Sequence, residues 1–547
     1  MTLRIGTAGD AVNGALRQVV EARPLLILAS RVHTGTAGAV PEADAVLVRG
    51  GRVAAVGRRT VLRSLVPDAR LLDLGGAVLT PGLIDAHVHL TEWALGRAHV
   101  PLDQAASPAE AVGLLARHAG TGTGWVRGRG WNPHRWRDAQ PHRTSLDARF
   151  PDRPVALQSH DMHALWVNTA ALRAAGIDAG TADPAGGRIA RDPDGEPTGL
   201  LLEKAADLVI AAFPRPSLTE VVAAVREAQP ALHALGLTGV HSFPGIALPE
   251  PDPLPVLQAL HASGALRLRI LQHIRLERLD AAVALGLRSG FGGDWLRIGG
   301  VKLFLDGALG SRTAWMRDSY RGSASRGVCV LPAADFRAAV KHAAHAGIAT
   351  TVHAIGDAAV ALALEVLADP ALPAAALPHR IEHVQCCPPE LRGAAGRAGI
   401  VCSVQPCHLI TDWRAADEHW GETRARTTYA FAALAAGGAT LAFGSDAPVE
   451  PIDPRRGLYA AITRRDLAGE PCGGWYPEQC MDAVAALHGF TTGPALAAGT
   501  AGEQGVLAPG AWADLAAWDR DPLASDPAQI LDMKCVATLV AGELVHG

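Results

Sequence analysis

Apolar and polar positions along this chain fall into two rhythms. From about residue 25 to 75 the pattern is one of short strands broken by turns: LLILASRVHT, then AVLVRGGRVAAVG, then ARLLDLGGAVLTPG. Gly50 and Gly51 sit between two β-branched runs. Such a pair is a hairpin signal, because glycine accepts the positive φ angles a tight turn requires. Near the C-terminus, GVLAPGAWADLAAWD and CVATLVAGELVHG repeat the same texture. Two β-rich ends around a long middle predict one small β-sandwich composed of both termini, with residues 1–80 and 491–547 as its halves.

The middle, residues 81–490, alternates differently. Short apolar runs (PGLIDAHVHL, LTGVHSF, RLRILQHI, GVKLFLDG, ATTVHAIGD, PHRIEHVQ, GIVCSVQP and ATLAFGSDAP) are separated by amphipathic stretches such as DFRAAVKHAAHAG and AAVALALEVLADP. Repeated strand-then-helix units imply a parallel sheet covered by helices. About eight of them predict an α/β fold closed into a (β/α)8 TIM-type barrel. Residues 90–235 are too long for an ordinary connection. They carry Trp125, Trp131, Trp136 and the turn-rich TADPAGGRIARDPDGEPTG. This segment reads either as an insertion covering the barrel mouth or as a β-rich lobe without a functional part. No tandem repeat beyond the strand–helix period and no low-complexity tract occurs.

Composition narrows the class of partner. Of 547 residues, 49% are hydrophobic and the net charge is −4, so no basic stripe argues for nucleic acid or for an anionic membrane surface. A small-molecule substrate is the expected partner, and a homo-oligomer is compatible with this. The eight cysteines form no C-x-x-C pair, which predicts reduced, mostly buried thiols rather than a disulfide framework or a cysteine metal site. The N-terminus has no continuous apolar stretch of the signal-peptide kind, and no apolar run approaches the roughly 20 residues that span a bilayer. A cytoplasmic location is the expectation.

Single polar residues placed at the ends of apolar strands carry the chemistry. His87 and His89 close PGLIDAHVHL, and positions i and i+2 of a strand share a face. His353, His383 and Asp446 each close a further run. The rim where barrel strands meet their loops is where barrel enzymes place catalytic groups. One such histidine among 22 would be an ordinary structural residue. Four of them and an aspartate, gathered from the ends of four strands, form a donor set suited to zinc, manganese, iron or nickel. Lys302, one of only four lysines, lies inside the apolar GVKLFLDG. Either its ammonium pairs with Asp306 or reaches solvent, or it is a neutral amine able to take up carbon dioxide as a metal-bridging carbamate.

Taken in order, H-x-H, Lys, His, His and Asp resemble the amidohydrolase superfamily. TPGLIDAHVHL, VKLFLDGALGSRTA, TVHAIGDAAV, RIEHVQ, SVQP and FGSDAPVE together resemble its YtcJ-like branch, the amidohydrolase 3 type related to N-substituted formamide deformylases. The resemblance spans roughly residues 25–545. It implies two divalent metal ions, zinc foremost with manganese or iron as substitutes. His87, His89 and Asp446 would hold the more buried ion, and His353 and His383 the second. Lys302, carboxylated at its amine, would bridge them. It further implies that His163, in SHDMHALWVNTAAL, faces substrate and helps stabilise an oxyanion. Trp131, Asp306, Arg312 and Trp315 join it as candidate substrate contacts, with Trp136 and Trp413 as further apolar walls. Asp306, Asp357 and Glu382 are candidates to orient ligands.

The activity implied is hydrolysis of a C–N bond, amide or N-formyl, with Asp446 as general base and then general acid. A mononuclear deaminase of the same superfamily and a catalytically silent barrel serving as a binding or assembly protein are the alternatives. No G-x-S-x-G, H-E-x-x-H or G-x-x-x-x-G-K-[ST] signature supports another hydrolase class.

Overall fold

A computed structural model describes residues 23–36, 42–118, 124–132, 136, 140–159, 164–184, 186–245 and 251–547. Eight parallel strands form its central sheet: Leu83–Val88, Leu237–Ser242, Arg269–Arg275, Leu296–Phe304, Thr350–Ala354, Arg380–His383, Val401–Val404 and Thr440–Phe443. Each of the eight apolar runs singled out in the sequence supplies one of them. The ends of the sheet meet just past the first and last strands. There Val88 bridges Ala447 in parallel, Asp446 N–H donates to His87 O at 2.7 Å, and His89 N–H donates to Ala447 O at 2.9 Å. The sheet is thus a nearly closed barrel. Strands one, two, six and seven are buried at every residue, as expected where both faces of a parallel sheet are covered. The predicted amphipathic helix forms over Ala333–His345 and buries Phe336, Val340, Ala343 and Ala344, a single apolar stripe.

The two chain ends build a sandwich, as predicted. A four-stranded sheet holds Leu25–Leu28, Ala45–Arg49, Arg52–Gly57 and Arg70–Asp73. A five-stranded sheet joins Arg31–Val32 and Val78–Pro81 to the C-terminal Leu515–Trp518, Cys535–Val540 and Glu543–His546. Ile27, Val46 and Val53 of the first share a core with Leu79, Leu515 and Leu539 of the second. Gly50 and Gly51 take φ of 55° and 76°, the paired positive angles that the hairpin between Ala45–Arg49 and Arg52–Gly57 requires.

The chain divides into two compact units. One comprises Met1–Leu90, Ala228–Pro244 and Leu257–Gly547, and so contains the barrel and the sandwich; the other comprises Thr91–Glu227 and Gly245–Val256. The second unit has a six-stranded sheet in the order Gly187–Arg191, Pro197–Glu203, Ala164–Val167, Val155–Ser159, Val126–Trp131, Val100–Pro101. Its core gathers Trp131, Trp136 and Trp166 with Leu102, Leu115 and Leu157. None of the eight cysteines is in a disulfide, and five are buried. No helix among the described residues is long and apolar enough to cross a membrane.

Candidate metal centre

The strand ends bring the expected ligands to one place. His87 and His89, two residues apart, have ring centroids 5.6 Å apart, and their Nε2 atoms lie 3.3 and 3.2 Å from Asp446 Oδ1. The His383 ring is 5.1 Å from that of His87 and 4.5 Å from that of His353. This follows from register, since His353 pairs with Glu382 and Ala354 with His383 on adjacent strands. One donor atom from each of His87, His383 and Asp446 falls within 4.8 Å of the others, and all three residues are buried. His383 and Asp446 both have positive φ, 74° and 58°. Non-glycine residues held in this region cluster at functional sites, where the surrounding structure pays for the strain.

The donor set fits a cation because the far nitrogen of every imidazole is already engaged. His87 Nδ1 is 2.6 Å from Glu382 Oε2, His89 Nδ1 is 2.6 Å from Pro244 O, and His383 Nδ1 is 2.7 Å from Gln405 Oε1. His353 does the reverse, placing Nε2 3.0 Å from Gly307 O and leaving Nδ1 as its possible ligand atom. An N–H donated outward fixes the tautomer and turns a lone pair inward, the arrangement metal-binding histidines use. Electrostatics agree. Burial holds His87 and His383 well below the usual imidazole range and lowers His353 to about 4, so all three are neutral and able to ligate. Burial works against the Asp446 carboxylate, and the hydrogen bond it shares with His89 Nε2 at 3.2 Å works for it.

Lys302 is buried, with Nζ 4.9 Å from the Phe243 ring centroid and 4.8 Å from that of Phe304. Burial lowers its amine to about 8, against the opposing pull of Glu382 and Asp446. Phe243 itself stacks between His87 and His273, at 3.9 and 4.2 Å.

The other sequence candidates have different places. Trp131 is not a pocket wall: it is 1% exposed, stacked on Trp136 at 5.1 Å, and donates its indole N–H to Leu157 O. Trp136 is likewise buried, donating to Ala105 O. Asp306 is not a substrate contact, since its oxygens accept the backbone N–H groups of Trp315, Ile355 and Gly356. Its role is to anchor the loops beside His353, 3.5 Å away. Asp357 accepts the Arg317 N–H and is also a loop anchor. Glu382 does orient a ligand, His87. Trp315 and Trp413 are partly exposed; Arg312 is exposed and 4.0 Å from Glu418. His163 lies outside the described residues.

Sequence reasoning passed over Phe243, Gln405, Arg380 and His408. Arg380, 2% exposed inside the barrel, donates to Glu382, Ser403 Oγ and Ala86 O. Its signal was an arginine inside the short strand run PHRIEHVQ. For Gln405 and His408 it was the polar pair that follows the seventh strand in SVQPCHL.

Comparison with known proteins places this geometry in context. Residues 70–546 match the Amidohydrolase family. Putative amidohydrolase YtcJ of Bacillus subtilis is 32% identical over 92% of this chain and 96% of its own. N-substituted formamide deformylase of Arthrobacter pascens is 28% identical over 96% of this chain and 99% of its own. Among solved structures, an uncharacterized metal-dependent hydrolase from Pyrococcus horikoshii superposes with a TM-score of 0.76 at 27% identity, covering 92% of this chain and 99% of that one. With its eight-stranded barrel and a match over nearly its whole length, this chain, a hydrolase of carbon–nitrogen bonds, belongs to the amidohydrolase family.

Proposed function

We propose that the protein hydrolyses the amide or N-formyl bond of a small molecule at a binuclear divalent centre, with zinc as the foremost metal. The observation that carries this reading is the convergence of His87, His89, His353, His383 and Asp446 at one barrel end, with the far nitrogen of every imidazole already engaged. His87, His89 and Asp446 would hold one ion, His353 and His383 the other, and Lys302, carboxylated on its amine, would join the two. Bound there, divalent cations supply Lewis acidity toward a carbonyl oxygen and bring the pKa of water toward neutrality.

The chain's own residues do the rest. Asp446 presents Oδ1 to the H-x-H pair and directs Oδ2 the other way, toward His408. As the carboxylate among the convergent residues, with Oδ2 turned from the histidine pair, it is the group placed to accept the proton of the attacking water. The same carboxyl then returns that proton to the departing nitrogen, which leaves as a neutral amine. The deformylase name of the Arthrobacter pascens relative makes N-formyl compounds the first substrates to try.

Metal analysis together with an assay panel of N-formyl and N-acyl amines tests the reading. Up to two equivalents of metal per chain are expected, and activity should be lost on chelation. Asp446→Asn should turn over at least about a hundredfold more slowly. Turnover by that variant at the parent rate would remove Asp446 from its role. A single equivalent, undiminished by Lys302→Ala, would favour a mononuclear deaminase.

A further inference from the structure

His408 stands beside the metal ligands with one nitrogen unaccounted for. It follows the seventh strand, at the start of the helix His408–Trp420, and is 7% exposed. Its ring lies nearly parallel to that of His383, 15° off, with centroids 6.2 Å apart. Nδ1 faces the amide nitrogen of Gln385 at 3.4 Å. Nε2 is buried without a hydrogen-bond partner and is directed at Asp446 Oδ2, 3.8 Å away. Both neighbours specify the same tautomer. An amide N–H at Nδ1 calls for an acceptor there, which leaves the proton on Nε2, facing a carboxylate. The gap of 3.8 Å exceeds a hydrogen bond, so Nε2–H and Asp446 do not satisfy each other.

A buried donor without an acceptor costs free energy, and a native structure keeps one where something arrives to accept from it. The geometry points to His408 as a catalytic residue that donates Nε2–H to the acyl oxygen of the substrate. This assignment rests on the amide-hydrolase reading above. As the oxygen of water bonds to the acyl carbon, the carbonyl π pair moves onto the acyl oxygen, which becomes anionic and accepts from His408. When that pair re-forms the carbonyl, the C–N bond breaks, its electrons go to nitrogen, and the proton held by Asp446 follows. His408 keeps its Nε2 proton throughout. A fixed donor of this kind is strongest where charge develops, so its effect falls on kcat more than on KM.

The test compares the metal-loaded parent with His408→Phe, which removes the donor, and His408→Gln, which keeps an amide N–H. Three quantities are read: metal content, kinetics on the N-formyl and N-acyl amine panel, and calorimetric affinity for acetohydroxamate, a carbonyl probe that presents an anionic oxygen. Expected are unchanged metal content, a kcat about 10²–10³-fold lower for His408→Phe with KM within about threefold, and partial recovery in His408→Gln. Acetohydroxamate should bind about tenfold more weakly to His408→Phe. Should the phenylalanine variant not fold, His408→Asn, whose amide stops short of the Nε2 position, makes the same comparison. Parent-like kcat and hydroxamate affinity would overturn the assignment, as would loss of a metal equivalent, which would make His408 a ligand or a prop. If the parent hydrolyses nothing in the panel while hydroxamate binding still weakens in the variant, the amide reading fails and the donor assignment stands.

Discussion

At the scale of single residues, the centre depends on groups that never touch a cation. Glu382 holds His87, and Arg380 holds Glu382. Glu382→Gln should lower metal affinity about 10–100-fold, measured by competition with a chromogenic chelator. Two other buried carboxyls give the metal-free protein a pH signature. Burial raises Asp85 and Asp306 to about 7 from 3.8. Between those values the native state binds more protons than the unfolded chain, so their contribution is complete below about pH 4 and is lost as pH rises to about 7. Melting temperatures of metal-free protein should therefore decline over that window, and Asp306→Asn should shallow the decline. The six proposed ligands were legible in the sequence because each is a polar residue interrupting or ending an apolar run. Of their supports, Glu382 was legible too, but most were not. The carbonyls of Pro244 and Gly307 leave no mark in a sequence, and Gln405 and His408 leave only a polar pair after the seventh strand, which does not say which way they turn. Trp131 misled for the converse reason, since a tryptophan-rich stretch reads alike whether it lines a pocket or fills a core.

At the scale of elements, the join between the first and eighth strands positions the chemistry. Gly444, just past Phe443, lies so close to the first strand that a Cβ there would sit 2.4 Å from His87 N and 2.7 Å from His87 Cβ. Both contacts are with a strand that cannot yield without moving the ligand. Gly444→Ala should cost about 1–3 kcal/mol by denaturant unfolding and should reduce metal content as well. The strands themselves were readable, since fully buried parallel strands are short unbroken apolar runs bounded by turn residues. The six-stranded sheet of the second unit was not. Gly187–Arg191 and Pro197–Glu203 each carry a glycine and are partly exposed, and the Leu-Leu-Leu run of the second hides in its residue types the alternation that its burial shows. Nor did any pattern show that Gly245–Val256, far along the chain, would join that unit.

At the scale of the whole molecule, a buried ion pair fastens the C-terminal strands to the barrel. Arg269, the first residue of the third strand, makes a two-pronged contact with Asp514, one arm at 2.9 Å, and its guanidinium lies 3.8 Å from the Trp512 ring centroid. Asp514 also accepts the Ala541 N–H. Removing one partner strands a charge in the interior, so Asp514→Ala should cost about 3–5 kcal/mol in denaturant titrations. Arg269→Met combined with Asp514→Leu should cost much less. The folded double variant should keep its full metal content, because Arg269 begins a strand whereas the ligands lie at strand ends. That both termini share one sandwich was legible from their matching texture; this fastening was not, since its partners are 245 residues apart.

The five-stranded sheet that draws residues 31–32 and 78–81 together with residues 515–546 also sets an order of events during synthesis. His87 emerges from the ribosome hundreds of residues before Asp446, and the strands that complete the sandwich follow both. No fragment that stops before Asp446 can bring the two ends of the ring together, so a nascent chain halted there should leave the ribosome empty of metal.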